Sequence, residues 1–379
     1  MTIWFMNLLG SILDYVFAYY VRYIHLPDKK FRFFRDGFGD LGALNDANAY
    51  VESLADESKT VPDITVSTKL QPSDASGIQY DECSFTSPAA FFLPSNMCTA
   101  HFLLISPPKD TRVKGVIIFL PHGGDEWYDR RRAILDAGGM MKKGYVGVLP
   151  IVPFYGKRRG ENQAKHYIRT VELWFKGFCA AVIEAASLVR WAHKTFPGAP
   201  VCIAGASQGG AIACCAACVV QEPVSIASVV GSDSTRPLLC KPSMISFDWE
   251  ALMADRPGCT RAEVCAEILA ICPSYSTSSK SKLRARSVLE RAVCVNARND
   301  GWVNSTERND LENALCCMTG NNVSIEWVYG GHIAATFVKP GRLMNPAILC
   351  TFSSQVNKRA GNHSRVRRLD MKQQSMVVG

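Results

Sequence analysis

From about residue 91 to residue 352, apolar runs of strand length alternate with longer helical stretches, and this alternation constrains the fold more than any other feature. The runs Val116 to Leu120 and Val146 to Val152 are continuously apolar, as expected for strands that are buried on both faces. Between strands, stretches such as 170–192 carry apolar residues at every third or fourth position, which is typical of amphipathic helices. The alternation predicts an α/β fold, in which a mostly parallel sheet is covered by helices on both faces.

One block, at about residues 231–286, interrupts this rhythm. It contains a short predicted helix that begins at Thr260, with Glu263 three residues later as a capping box, and a stretch rich in serine and lysine follows. Insertions between sheet strands often cover active sites, so we interpret this block as a short cap. The predicted organisation is an aromatic, amphipathic segment at 1–40, a polar linker at 41–80, the α/β domain at 81–352 and a basic disordered tail at 353–379.

The net charge of +8 is concentrated at the C-terminal end. From Lys358 onward the chain has six basic residues against Asp370 alone, which gives +5 of the total. The body of the protein is therefore close to neutral, and no nucleic-acid partner is expected.

The 15 cysteines lie mostly inside apolar runs, as Cys202 and Cys214 do. This placement is typical of small buried hydrophobic side chains rather than of a disulfide framework, and it favours a reducing, intracellular compartment. The pair Cys215 and Cys218 has a spacing that zinc sites use, but no second pair stands at a matching distance. We predict neither a metal nor an organic cofactor.

Residues 3–26 are rich in aromatic side chains and form a largely apolar stretch that Asp14 interrupts. There is no basic residue near Met1, which argues against a cleavable signal. Three interpretations stay open: a helix packed on the domain, a helix lying on a membrane surface, and a membrane span. The basic residues that follow, among them Lys29 and Lys30, favour contact with an anionic surface.

The segment Gly205-Ala-Ser207-Gln-Gly209 matches Gly-x-Ser-x-Gly and lies between a predicted strand and an alanine-rich predicted helix. This context is that of a nucleophile elbow, in which glycines allow a sharp turn that exposes the serine above the carboxyl end of the sheet. Ser207 is therefore the predicted nucleophile.

A serine nucleophile needs a neutral imidazole as base and an acid that orients it. In this fold the order along the chain is serine, acid, histidine. Asp300 and His332 each follow a predicted strand downstream of Ser207, and we assign them as the orienting acid and the general base. Asp233 is the second choice for the acid, whereas Asp310 is expected on a helix.

The oxyanion of the reaction needs two N–H donors. The backbone N–H of Gln208 is one candidate, and the loop Pro121-His122-Gly123-Gly124 after a predicted strand supplies the other. We expect this second donor at Gly123 or Gly124, with His122 shaping the loop.

These motifs resemble the α/β-hydrolase superfamily and, within it, the family of alpha/beta-hydrolase domain-containing protein 18. The similar segments are 120–132 with its Gly-Asp and three arginines, 153–163 around Tyr155, 247–249, and 330–341 around His332. The chain departs from that family at Gln208, where methionine is common, at His122, which replaces a glycine, and in its short insertion. The resemblance implies the α/β-hydrolase fold and hydrolysis of esters, including those of membrane lipids.

We therefore interpret the chain as a serine hydrolase of acyl esters, with a small-molecule ester or a lipid as substrate and peripheral contact with a membrane. Asp125, Arg130 and Arg131 lie beside the oxyanion loop, where arginines suit a phosphate head group; the alternative is a salt-bridged first helical turn. Tyr155 is added as a substrate-binding residue. Two other functions stay open: a non-catalytic binding module on the same fold, and acyl transfer by the same residues.

Overall fold

The computed structural model describes residues 12–20, 28–56, 58–236, 246–272, 288–320, 322–338, 340–353 and 367–368. The strands are β1 Ser67–Lys69, β2 Gln79–Thr86, β3 Thr99–Ser106, β4 Gly115–Leu120, β5 Tyr145–Ile151, β6 Val201–Ala206, β7 Val224–Val229, β8 Leu289–Ala297, β9 Val323–Val328 and β10 Arg367–Arg368. The helices are α1 Leu41–Leu54, α2 Asp129–Ala137, α3 Val171–Thr195, α4 Gln208–Ala217, α5 Trp249–Ala254, α6 Arg261–Ala270, α7 Ser305–Thr319 and α8 Pro340–Ser353. Residues 12–20 are also helical, and Ala334–Val338 form a π-helix.

The strands form one sheet in the order β1-β2-β3-β5-β4-β6-β7-β8-β9-β10. The pairs β1–β2, β2–β3 and β3–β5 are antiparallel. Every further neighbouring pair, from β5–β4 to β9–β10, is parallel. After β4 the chain runs through α2 to β5 on one side, and then returns through α3 to β6 on the other side of β4. This reversal opens a crevice at the carboxyl ends of β4 and β6, which is where open α/β sheets bind their ligands. The predicted α/β-hydrolase fold is confirmed.

Both faces of the sheet are buried, as the continuous apolar runs predict. Every residue of β4 is buried; Ile118 packs into the cluster beneath α1, α3 and α4, whereas Ile117 packs into the cluster beneath α2 and α8. Helix α3 begins at Thr170, whose side chain accepts a hydrogen bond from the Leu173 N–H at 3.1 Å. The successive side chains of one strand thus stabilise two separate layers of helices.

The predicted polar linker at 41–80 is wrong for much of its length. Helix α1 begins after Asp40, whose side chain accepts from the Ala43 N–H at 3.1 Å, and it packs against α3. Its buried residues recur at helical spacing, but the polar residues between them hid this pattern; they are Leu44, Ala47, Val51 and Leu54. Strand β1 also lies in this range, and β2 begins two residues before the predicted domain boundary.

The block at about residues 231–286, interpreted above as a cap, contains α5 and α6. The predicted capping box of Thr260 and Glu263 is present at the start of α6. Phe247 of this block stacks on Phe34 at a ring-centroid distance of 5.0 Å, so the block packs on the segment that precedes α1. Residues 237–245 and 273–287 of the block lie outside the described residues. The same holds for the predicted disordered tail, apart from Ser353 and the two residues of β10.

Candidate active site

Ser207 stands in the sharp turn between β6 and α4. Its backbone has φ 53° and ψ −119°, a conformation that L residues rarely adopt. The turn brings backbone segments very close together. A Cβ on Gly205 would lie 2.3 Å from the Gly209 carbonyl carbon, and a Cβ on Gly209 would lie 2.8 Å from the Leu120 carbonyl oxygen. Both glycines of the motif are therefore required sterically, and the strain is concentrated at the residue whose hydroxyl faces the crevice.

The structure brings Ser207, His332 and Asp300 together in one hydrogen-bonded series. The Nε2 atom of His332 lies 2.8 Å from Ser207 Oγ, and its Nδ1 atom lies 2.9 Å from Asp300 Oδ2 and 3.1 Å from Oδ1. A carboxylate only accepts hydrogen bonds, so Nδ1 carries the hydrogen and Nε2 is left to accept from the serine hydroxyl. This tautomer is the one that a general base requires.

Asp300 is held by its own loop. Its Oδ1 atom accepts hydrogen bonds from the N–H groups of Trp302 and Val303, both at 2.8 Å. Burial raises the pKa of this carboxyl, but the imidazole of His332 and the two N–H groups outweigh that effect and leave the pKa below its ordinary value. The indole of Trp302 stacks on the imidazole at 5.5 Å, which fixes the plane of the His332 ring. The second-choice acid, Asp233, lies in the loop after β7, and Asp310 lies on α7 as predicted.

The oxyanion loop is bound to α4 through one tyrosine. The Gly124 N–H donates to Tyr155 Oη at 3.1 Å, and this hydroxyl donates to Gln208 Oε1 at 3.0 Å. Gln208 is the first residue of α4, so its backbone N–H lies at the positive end of the helix. Tyr155 was predicted to bind substrate; it does line the cavity, and its hydroxyl also holds the loop in place.

His122 is the residue that shapes this loop, as expected. Its Nδ1–H donates to the carbonyl of Gly123 at 2.9 Å, and its ring meets Phe337 edge-on at 4.9 Å. Burial lowers the pKa of His122, so the ring is neutral near pH 7. It is hydrogen-bonded to the loop itself rather than to Ser207.

A cavity of about 340 Å³ opens above Ser207, within the size range of small-molecule sites. Its wall is largely aromatic, and the side chains come from several distant parts of the chain: Phe17, Phe33, Tyr167, Trp174, Trp302 and Phe337. Gly123, Gly124, Gln208 and His332 line it beside Ser207. The candidate nucleophile, the candidate base and the candidate oxyanion donors thus face one largely apolar space.

Residues 31–282, about two thirds of the chain, match the family described as Alpha/beta hydrolase domain containing 18. The chain belongs to this family. The match confirms the predicted resemblance and starts at residue 31, well before the boundary predicted at 81. It includes Ser207 and the oxyanion loop, whereas Asp300 and His332 lie beyond its end.

Solved structures of similar fold share little sequence with this family member. TT1662 from Thermus thermophilus is 15% identical over 79% of this chain and 100% of its own, with a TM-score of 0.48. An acetyl xylan esterase from Paenibacillus sp. R4 is 12% identical over 85% and 97%, also at 0.48. A cold-adapted esterase from an Arctic intertidal metagenomic library is 11% identical over 75% and 99%, at 0.45. These similarities are too weak to indicate an activity.

The three arginines of the family segment have different environments. Arg130 lines the cavity; its Nη2 donates to the carbonyls of Thr336 and Phe337 at 3.4 and 3.2 Å. Arg132 is half exposed and forms a salt bridge of 3.9 Å with Asp129.

The prediction that Arg131 binds substrate is wrong, and the residue has a structural role. It points into the interior, where its guanidinium is 1% exposed and forms a 2.9 Å ion pair with Asp125. It also donates to three carbonyls, those of Phe119, Trp127 and Pro150. The carboxylate of Asp125 lies at the cavity wall, and its Oδ2 atom is paired with Arg131.

Sequence reasoning missed one residue at this site, Asp14. It is fully buried and accepts hydrogen bonds from the backbone N–H groups of Gly301, His332 and Ile333. Of the three interpretations of the N-terminal stretch, residues 12–20 show a helix that packs on the domain. None of the described helices has the length and apolar character that a bilayer span requires. The sequence feature that could have indicated this role is the carboxylate itself, because a lone acid in an apolar helix needs hydrogen-bond partners.

Proposed function

We propose that this protein is a serine hydrolase that cleaves acyl esters through an acyl-enzyme. Ser207 is the nucleophile, His332 the general base and Asp300 the acid that orients the imidazole. One observation carries this proposal: Ser207 Oγ lies 2.8 Å from His332 Nε2, while Nδ1 of the same ring lies 2.9 Å from Asp300. A serine hydroxyl is a weak nucleophile, and this arrangement supplies the base that it needs.

The proposed steps use these side chains and water. Ser207 Oγ attacks the ester carbonyl carbon as its proton moves to His332 Nε2, and a tetrahedral oxyanion forms. When this intermediate collapses, the bond to the alcohol oxygen breaks, and the alcohol leaves with the proton from His332. Water then attacks the acyl-enzyme, again giving its proton to His332, and the acid is released from a regenerated Ser207.

For the oxyanion we propose the backbone N–H groups of Gln208 and Gly123. The Gly124 N–H already donates to Tyr155, so Gly123 is the better of the two loop candidates. The Gln208 side chain supports this arrangement, because it accepts from the same Tyr155 hydroxyl and lies 3.5 Å from the position of a Cβ on Gly123. Two preorganised donors of this kind stabilise charge that develops only in the transition state.

For the substrate we propose a lipid-like ester, taken up at a membrane surface. The aromatic wall of the cavity suits an acyl chain, and Phe17 of the N-terminal helix is part of this wall. The outer face of that helix exposes large apolar side chains to solvent, with Tyr15 63%, Val16 58% and Tyr19 60% exposed. Such a face suits peripheral contact with a membrane. The buried cysteines, such as Cys202 and Cys214, suit a reducing compartment inside the cell.

Labelling with a fluorophosphonate probe tests the proposed nucleophile. We expect the full-length protein to be labelled at Ser207, and the Ser207→Ala variant to show no labelling, because the probe bonds only to an activated serine. Ser95→Ala, at an exposed position, is the matched control and should be labelled like the wild type. Equal labelling of wild type and Ser207→Ala, or absence of labelling in both, would contradict the proposal and favour a binding module.

The fate of the acyl group separates hydrolysis from acyl transfer. With a soluble ester as substrate and added alcohols or lysolipids as competing acceptors, we expect free acid as the main product. Predominant formation of a new ester would assign the same residues to an acyltransferase.

The half-buried Arg130 is the remaining candidate for contact with a phosphate head group. We expect Arg130→Ala to lower kcat/KM for a phosphate-bearing ester about tenfold more than for a neutral ester of the same acyl chain. The physical reason is the loss of a charge-assisted hydrogen bond, which contributes about 1.5–3 kcal/mol. Equal decreases with both esters would show that Arg130 only holds the carbonyls of Thr336 and Phe337.

A further inference from the structure

We propose that Asp14 is a positioning residue of this active site. It holds the loop after Asp300 and the loop of His332 in place relative to each other. Asp14 precedes the region that matches the family. The inference rests on the proposed function, because it concerns the alignment of the same Asp300 and His332. It assigns the N-terminal helix a direct part in the site.

The contacts of Asp14 divide between the two loops. Its Oδ2 atom accepts from the Gly301 N–H at 2.9 Å and from the His332 N–H at 2.8 Å, and its Oδ1 atom accepts from the Ile333 N–H at 2.8 Å. Gly301 directly follows Asp300, and Ile333 directly follows His332. One carboxylate therefore connects the backbone beside the acid to the backbone of the base.

The fit around Asp14 is close. A Cβ on Gly301 would lie 3.1 Å from Asp14 Oδ2, so the position next to Asp300 leaves little space for a side chain. Burial raises the pKa of Asp14, and the three backbone N–H groups and His332 oppose that effect. An ionised carboxylate in such a place is unfavourable unless it is fully hydrogen-bonded, and here both of its oxygens are.

The rest of the helix supports the same placement. Ala18, one turn after Asp14, is buried, and Phe17 lines the cavity with its ring 5.5 Å from that of Phe337. Phe337 belongs to the π-helix that follows His332. The inner face of the N-terminal helix thus contacts the His332 loop at two points, one polar and one aromatic.

The test compares Asp14→Ala and Asp14→Asn with Tyr20→Ala in the full-length chain, using a water-soluble short-chain ester. We expect Asp14→Ala to lower kcat about 100-fold with KM changed less than about threefold, since a displacement of about 1 Å in a catalytic group has an effect of this size. Asp14→Asn retains one acceptor oxygen and should fall between Asp14→Ala and the wild type. Tyr20 is 56% exposed in the same helix, so Tyr20→Ala should match the wild type.

The folded fraction separates positioning from a general loss of folded protein. Partial unfolding would lower kcat in proportion to the folded fraction, which a thermal melt shows directly. The result expected for positioning is a lower kcat per folded molecule with KM nearly unchanged, and a partial recovery in Asp14→Asn.

The outcomes distinguish this inference from the proposed function. If wild type labels at Ser207 and Asp14→Ala matches it in kcat, the inference about Asp14 is wrong and the hydrolase proposal stands. If Asp14→Ala loses activity only in proportion to its folded fraction, the residue is structural and the inference is also wrong. Absence of labelling in the wild type would contradict the proposed function itself.

Discussion

Replacing Asp300 with asparagine is expected to lower kcat by about 10⁴-fold while leaving the fold intact. The reason lies in the hydrogen bonds of the carboxylate. Oδ1 accepts from the Trp302 and Val303 N–H groups, so an asparagine would place its oxygen there and its NH₂ group at the position of Oδ2, which faces His332 Nδ1. Nδ1 would then have to accept, the ring hydrogen would move to Nε2, and Nε2 could no longer take the Ser207 proton.

The measurement is kcat and KM for a soluble ester across the pH range, with Asp310→Asn as the control. Asp310 is another acid downstream of Ser207, but it lies on α7, and its variant should retain wild-type kcat. The melting temperatures of both variants should stay near that of the wild type. An Asp300→Asn variant within tenfold of the wild type would show that Asp300 does not set the tautomer of His332.

Replacing Arg131 with methionine is expected to lower the free energy of unfolding by about 3–5 kcal/mol. The methionine fills most of the space, but it leaves Asp125 buried without its 2.9 Å partner and three carbonyls without their donor. Two of these carbonyls, those of Phe119 and Pro150, are in the parallel strands β4 and β5. The loss therefore affects the carboxyl ends of these two strands, and the oxyanion loop directly follows β4.

Arg132→Met is the matched control, because it changes the neighbouring residue of the same helix. Its salt bridge with Asp129 is solvent-exposed, and such pairs contribute about 0–1 kcal/mol. Denaturant unfolding of both variants gives the comparison. Similar unfolding midpoints would mean that the Arg131 ion pair and its carbonyl contacts contribute little, and would reopen a role for Arg131 in substrate binding.

The three arginines at 130–132 are a case in which the sequence does not determine which side chain is buried. The segment 130–132 places three guanidinium groups about 100° apart around α2, and nothing local states which of them faces the interior. Packing of α2 against the sheet decides it: Arg131 is buried, Arg130 faces the cavity and Arg132 faces solvent. The linker prediction failed for a related reason, because polar residues are interspersed among the apolar ones of α1, and its packing against α3 decides which four apolar side chains form the core face.

The sequence alone determined the sheet of buried strands, the elbow at Ser207 and the two later strand ends that carry Asp300 and His332. These features depend on local backbone geometry and on the period of apolar residues, which a single chain displays directly. Only the tertiary structure decided that Asp14, which is 318 residues from His332, reaches the backbone of the histidine loop. Its partners are peptide N–H groups, which every residue except proline has, so no side-chain pattern in the sequence could point to them.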